Sequence, residues 1–279
     1  MSGGDGFQFV TRRRRQTSRQ LVNHVLNQAS NSREPEINTE HLLREVLDAE
    51  ITLRNSPYCE ILCNGLAESL NLLDATAIPE IVCYGLGNFS ESRSAKYQLA
   101  ALLTIKSRYR SRVHLYDPVF FSKEIEVLQR LGLFTIEINE EGKRKVKKDL
   151  TLFYMPHCFQ GIIANCIHAN WGRGLTNCIL MTNSFGEIRD GIVTDAGLRD
   201  SVEFIKRIYP YVAELKLEAN FDSAPEAFNS TSIHVFTIEN LNKASEEFWE
   251  EIGNPPFHQE AFERELNRLR ESLGFETVQ

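Results

Sequence analysis

No apolar run in this sequence approaches the roughly 18 residues that a helical membrane span requires, and its first residues hold no hydrophobic signal core. Both absences point away from membrane insertion and secretion, towards the cytosol or nucleus. Cysteine is sparse: six in 279 residues, at positions 59, 63, 83, 158, 166 and 178. Their spacing matches no secreted disulfide framework. Cys59 and Cys63 stand four apart on a predicted helix, but no second pair supplies the other ligands of a closed zinc site, so no metal centre is expected. Positive charge is also short. The net charge of −7 gives a surface that repels nucleic acid, so direct nucleic-acid binding is not expected.

The exception is Arg12-Arg13-Arg14-Arg15. Such a run reads either as a localisation signal or as a solvated arm, and Thr17 and Ser18 beside it are candidate phosphate acceptors. Residues 1–35 are otherwise polar, with Leu21, Val22, Val25 and Leu26 hinting at one short amphipathic helix. They are expected to be a mobile basic segment, leaving 36–279 as a single folded domain with helical additions at both ends. The remaining composition, 42% hydrophobic and 25% charged, is that of a globular protein.

Within the folded part the periodicity changes in a regular way. Residues 38–73 read as two helices, the first opening at Asn38-Thr39-Glu40 and the second with Pro57 in its first turn. Strands are then predicted at 80–87, 111–118, 133–138, 151–155, 177–185, 211–219 and 231–239, separated as far as 209 by helical patterns, except at 140–149, which reads as a charged turn or ribbon. One or two polar helices follow at 241–275, broken at Pro255-Pro256. Alternating strands and helices imply parallel pairing through right-handed crossovers. The last two strands lack an intervening helix and should pair antiparallel at one edge. The expected fold is a Rossmann-like, doubly wound α/β sheet of about seven strands, mostly parallel, laid out as in class I methyltransferases.

Ligands of such sheets sit beyond the carboxyl ends of the strands, and four segments fall there. Gly85-Leu86-Gly87-Asn88-Phe89-Ser90 follows the first strand and precedes a helix, the setting of a phosphate- or nucleoside-binding loop. It carries Ser90 where a third glycine would stand, and a plain strand-to-helix turn is the alternative. Asp117 ends the second strand, where an acid commonly holds ribose hydroxyls; the start of a turn at Pro118 is the alternative. Met155-Pro156-His157-Cys158 ends the fourth strand. His157 is a candidate general acid or base, and Cys158, at a helix N-terminus, a candidate thiolate. A capping histidine and a buried cysteine are the alternative. Asn183 and Ser184 end the fifth strand and supply neutral donors and acceptors, or simply a turn. The candidate catalytic residues are thus His157 and Cys158, and the candidate ligand-binding residues Gly85, Gly87, Ser90, Asp117, His157, Asn183 and Ser184. His114 and His168 read as surface or satisfied core positions, Phe159 and Trp171 as core.

With those pieces in place the chain resembles the sensitivity-to-red-light-reduced family, the SRR-like domain. The resemblance rests on GLGNFSESRSAKYQLAALL, VHLYDPVF, TLFYMPHC, ANW followed by NSF, and AFNSTSIHVF, in that order across about residues 80–236. The pattern has a glycine before NSF where this chain has Thr182. The resemblance implies a regulatory protein of cytoplasm and nucleus, tied to circadian clock-gene expression and to haem biosynthesis and homeostasis. It implies no defined reaction. A small ligand at the strand tips is the expectation, haem or a nucleoside-type molecule such as S-adenosylmethionine, with protein partners also open. His157 and Cys158 are both axial-ligand types for haem. The alternatives are a methyltransferase-like enzyme, with Gly85 and Gly87 cradling the cofactor and Asp117 its ribose, and a non-catalytic interaction module.

Overall fold

The computed structural model describes residues 35–191, 199–217, 220–250, 252–254 and 256–258. The arginine run, Thr17, Ser18, the short helix expected around 21–26 and the last stretch of the C-terminal helices therefore lie outside the described residues. So does Pro255.

Two helices precede the sheet. In α1 (Thr39–Arg54) the Asn38 side chain accepts the His41 N–H at 3.0 Å, and in α2 (Pro57–Leu72) Ser56 caps the start with proline at the first position. Both starts are where the sequence places them. The α/β alternation then runs β1 (Glu80–Tyr84), α3 (Arg93–Tyr109), β2 (Arg112–Tyr116), α4 (Ser122–Arg130), β3 (Phe134–Thr135), β4 (Thr151–Tyr154), α5 (Gln160–Ala169), β5 (Cys178–Asn183), α6 (Phe185–Asp190), α7 (Arg199–Ile208), β6 (Ala213–Lys216) and β7 (Thr231–Val235). Two short helices follow, α8 (Ile238–Leu241) and α9 (Glu246–Glu250).

The seven strands form one sheet in the order β3-β2-β1-β4-β5-β7-β6. Pairing is parallel from β3 to β5. β7 runs antiparallel to both β5 and β6, so the expected antiparallel pair is present, with β7 inserted between β5 and the edge strand. Strand order reverses between β1 and β4, the switch point of a doubly wound sheet. This order is the Rossmann-like, class I methyltransferase layout read from the sequence.

Alternation along β1 explains the layers. Ile81 and Cys83 face one core with Leu42, Val46, Leu53, Leu62, Leu99 and Val127 from α1 to α4. Val82 and Tyr84 face the other, with Ile163, Ile167, Ile205 and Ile208 from α5 and α7. A strand covered on both sides is apolar at successive positions rather than alternate ones, and β4, TLFY, is buried throughout. β3 is shorter than the expected 133–138. Its pairing stops after the Ile136 N–H reaches the Leu115 carbonyl at 2.9 Å, and Ile138 stands exposed.

Candidate functional site

The carboxyl edge of the sheet has two halves of different character. In the half over β2, β1 and β4, Gly85 and Gly87 both take left-handed φ angles, 72° and 78°, which only glycine adopts freely. The conformation turns the Gly87 N–H onto Asp117 Oδ2 at 2.8 Å, while Asp117 Oδ1 accepts from the Val119 N–H at 3.0 Å. A second carboxylate, Glu124, is fully buried near the start of α4. It accepts from the Ser90 N–H and hydroxyl at 2.7 and 2.8 Å, from the Asn88 amide at 2.9 Å and from the Phe121 N–H at 3.0 Å. The Asn88 amide also donates to the Val119 carbonyl. Two carboxylates therefore tie GLGNFS to YDPVF and the first turn of α4. Donors of the kind that would meet a ligand's phosphate or ribose here meet the protein.

The β4 tip closes against the same loop. A Cβ on Gly85 would stand 3.0 Å from Cys158 Sγ, so the thiol packs on the glycine backbone. Burial, and then the charge of Asp117, push the Cys158 thiol up to about 12 against the opposing pull of the Phe159 N–H. Desolvation outweighs the helix end, which favours the buried-cysteine alternative over the thiolate. His157 has φ 52°, a conformation in which histidine is enriched among non-glycine residues. Its Nε2 lies 3.0 Å from the Asn229 carbonyl and its Nδ1 3.4 Å from Gln98 Nε2. Gln98 also donates to the Ala227 carbonyl at 2.8 Å and accepts the Tyr154 hydroxyl at its own carbonyl at 2.8 Å. This pattern fits a neutral ring with its proton on Nε2. The residue as a whole is exposed, yet desolvation of the ring lowers its pKa, opposed by the Asn229 carbonyl and the charge of Glu226. His157 and Cys158 consequently point to different partners and form no dyad.

The other half, over β5, β7 and β6, is open. The Thr182 hydroxyl donates to the Met155 carbonyl at 2.9 Å, which gives the residue standing in the pattern's glycine position a bridging role between β5 and β4. Ser184 caps α6 by accepting the Glu187 N–H at 3.1 Å. Behind it, half-buried Glu214 accepts the Gly186 N–H at 3.0 Å and lies 3.5 Å from Nε2 of buried His234. Burial alone would raise Glu214, but His234 and Ser184 outweigh it and hold the carboxyl down to about 2. Asn183 and Thr231 are cross-strand partners. Asn183 Oδ1 and Thr231 Oγ1 are buried without a hydrogen-bond partner among the described residues. Beside them lies a cleft of about 380 Å3 bounded by Ser184 and Glu187 after β5, Lys216 at the end of β6, and Asn229, Ser230 and Thr231 at the start of β7.

The structure thus collects Gly85, Gly87, Ser90, Asp117, His157 and Cys158 into a rim hydrogen-bonded and packed onto itself. Of the residues singled out from the sequence, Ser184 lines the open cleft and Asn183 adjoins it. Glu124, Gln98, Glu214 and Asn229 were not singled out. Glu124, three residues after Phe121, carried the spacing of a helix-start carboxylate reaching back to the backbone; the others had no local signal. Among the described residues no cluster of histidine, cysteine or acidic side chains could hold a metal ion, and no helix is long and apolar enough to cross a membrane. His168 Nε2 lies 3.2 Å from the Gly253 carbonyl, and Trp171 is half-buried, with its indole N–H on the Trp249 carbonyl at 3.0 Å.

Comparison with known proteins yields a family and a set of relatives. A profile described as the SRR1 domain matches residues 41–235. The SRR1-like protein of Mus musculus is 29% identical over 215 residues, covering 65% of this chain and 83% of its own. The SRR1-like protein of Drosophila melanogaster is 28% identical over 254 residues, 89% of each chain. Protein SENSITIVITY TO RED LIGHT REDUCED 1 of Arabidopsis thaliana is 28% identical over 162 residues, 57% of this chain and 58% of that one. Among solved structures, the plantazolicin methyltransferase BpumL in complex with a triazolic desmethylPZN analog and SAH overlaps with a TM-score of 0.32 and 11% identity, covering 71% of this chain and 98% of that one. An overlap that loose carries nothing about ligand or reaction; the fold rests on the strand order itself.

Proposed function

The chain belongs to the SRR1 domain family, and from that premise we propose that it is a regulatory protein which binds a small polar ligand in the cleft over β5, β7 and β6. Its cellular role is clock-linked gene regulation together with haem biosynthesis and homeostasis, in cytoplasm and nucleus. The red-light name of the Arabidopsis relative is in keeping with the first of these. Residues 36–279 act as the regulatory domain and 1–35 as its basic arm.

The observation that carries the ligand reading is the pair of orphaned polar atoms, Asn183 Oδ1 and Thr231 Oγ1, beside a cleft of about 380 Å3. An unsatisfied buried polar atom costs about 1–3 kcal/mol, and a bound molecule that reached it would recover that energy. Small-molecule sites run from about 300 to 1,000 Å3, so the cleft favours a nucleoside-sized molecule over a porphyrin. Its serine, asparagine and lysine lining favours the same choice. Haem ligation through His157 and Cys158 has little support, because both ring nitrogens face partners and the thiol is packed on Gly85. A binding role is favoured over catalysis for a related reason: Asp117, His157 and Cys158 are each engaged in holding the rim.

A thermal-shift panel of S-adenosylmethionine, S-adenosylhomocysteine, NAD, ATP and haem tests the reading. A ligand at a hundred times its dissociation constant stabilises by about 2.7 kcal/mol, a rise of about 5–10 °C for a domain of this size. The expected result is a rise with a nucleoside-type ligand that Asn229→Trp and Lys216→Glu diminish and Gly87→Ala leaves in place. No rise with any of the five would refute ligand binding and favour a pure interaction module. Methyl transfer from S-adenosylmethionine would instead establish the enzyme.

A further inference from the structure

A second cleft lies at the opposite end of the sheet from the strand tips, where α1 and α3 end and the chain enters β2. It has a volume of about 470 Å3 and is lined by Glu50 and Arg54 of α1, by Leu103, Lys106 and Ser107 of α3, and by Arg110 and Ser111. The three basic side chains face one carboxylate, so the cleft carries a formal charge of +2 within a chain of −7. Glu50 is taken up by Arg54, whose Nη2 lies 2.7 Å from its Oε1. Lys106 donates to the Leu131 carbonyl at 3.2 Å, which leaves two ammonium protons. The Arg110 guanidinium has no hydrogen bond, ion pair or ring contact among the described residues.

We propose that this cleft binds a phosphorylated small molecule, with Arg110 and Lys106 as the anion-holding residues and the Ser107 hydroxyl as a further donor. Two observations support it, and one effect opposes it without cancelling it. Guanidinium and ammonium groups together supply the forked and point donors that phosphoryl oxygens accept. The negative ends of two helices open onto the site, each equivalent to about half a charge. Set against +2, they leave the cleft still positive. Finally, Arg110 caps α3 in a left-handed conformation, φ 55°, where glycine is the favoured residue. Neutralising the α3 end accounts for Lys106, whose ammonium is also anchored on Leu131. It does not require an arginine in a glycine's conformation with its guanidinium unpartnered. Strain kept at a position that presents a charged side chain to a cavity is the pattern of a functional residue.

Sodium pyrophosphate is the probe, added to the full-length protein at constant ionic strength and followed by amide chemical shifts, with sodium chloride as control. The expected result is saturable shifts confined to residues around 50–54 and 106–111, about tenfold weaker binding in Lys106→Gln, and loss of binding in Arg110→Gly. Arg110→Gly should also raise the melting temperature, because glycine relieves the left-handed strain. Lower anion affinity in a more stable protein is an outcome that a purely structural arginine would not give. Pyrophosphate shifts no larger than those of chloride, or undiminished binding in both variants, would overturn the proposal. The strand-tip residues 228–232 should not respond, so this test and the nucleoside test fail or succeed separately.

Discussion

Truncating Glu124 to alanine removes the acceptor for four donors at once, the Ser90 N–H and hydroxyl, the Asn88 amide and the Phe121 N–H, at 2.7 to 3.0 Å. The serine hydroxyl can turn elsewhere and Asn88 keeps the Val119 carbonyl. The two backbone N–H groups, on half-buried Ser90 and Phe121, lose their described acceptor, the fully buried Glu124. Each stranded donor costs about 1–3 kcal/mol, so a loss of about 4 kcal/mol is expected for the two. For a domain of this size it corresponds to a melting temperature about 8–16 °C lower. Glu124→Gln keeps one acceptor oxygen and should lose about half as much. Guanidinium denaturation followed by circular dichroism gives the free energies directly. Asp117→Asn, which loosens the other carboxylate of the same pair of loops, should be non-additive with Glu124→Ala by more than about 0.5 kcal/mol. A loss below about 1 kcal/mol for Glu124→Ala, or strict additivity, would refute the view that these carboxylates hold the rim.

Thiol titration of the native protein should count two reactive cysteines, the half-buried Cys59 and Cys63, and all six after denaturation. Rapid labelling of Cys158 at neutral pH would contradict its high pKa. Because folding lowers the His157 pKa, its contribution is present above about pH 6.5, the ordinary histidine value, and is lost as pH falls through the lower folded value. Denaturation midpoints of wild type should therefore fall more steeply from pH 7 to 5 than those of His157→Gln, and parallel curves would count against it. Gly85→Ala places a Cβ 3.0 Å from Cys158 Sγ at φ 72° and should cost about 1–2 kcal/mol from the left-handed backbone alone. Adding Cys158→Ala should relieve the contact but not the backbone cost; full rescue would show that only the contact mattered.

The architecture was legible in the sequence because each strand and helix announces itself locally. TLFY reads as a strand buried on both faces, Asn38 and Ser56 start helices, and the missing helix between β6 and β7 gives the antiparallel pair. The candidate site was legible in position but not in state. GLGNFS has the spelling of a ligand loop, yet whether its N–H groups serve a ligand or the protein depends on Asp117 and Glu124, about thirty residues away. Cys158 does sit before a helix, and the Phe159 N–H does lower its pKa; burial, which no local pattern displays, decides the sign. The open cleft has contributors from three separated stretches around positions 184, 216 and 230, and the cationic one from α1 and α3. Neither leaves a contiguous motif.

We propose that the strand-tip edge is self-bonded over β1 and β2 and receptive over β5, β7 and β6. Amide chemical-shift mapping with S-adenosylmethionine tests it most directly. Saturable shifts at 184–187, 216 and 228–232, with 85–90 and 117 unmoved, are the predicted result. Shifts centred on Gly85, Gly87 and Asp117 would contradict it.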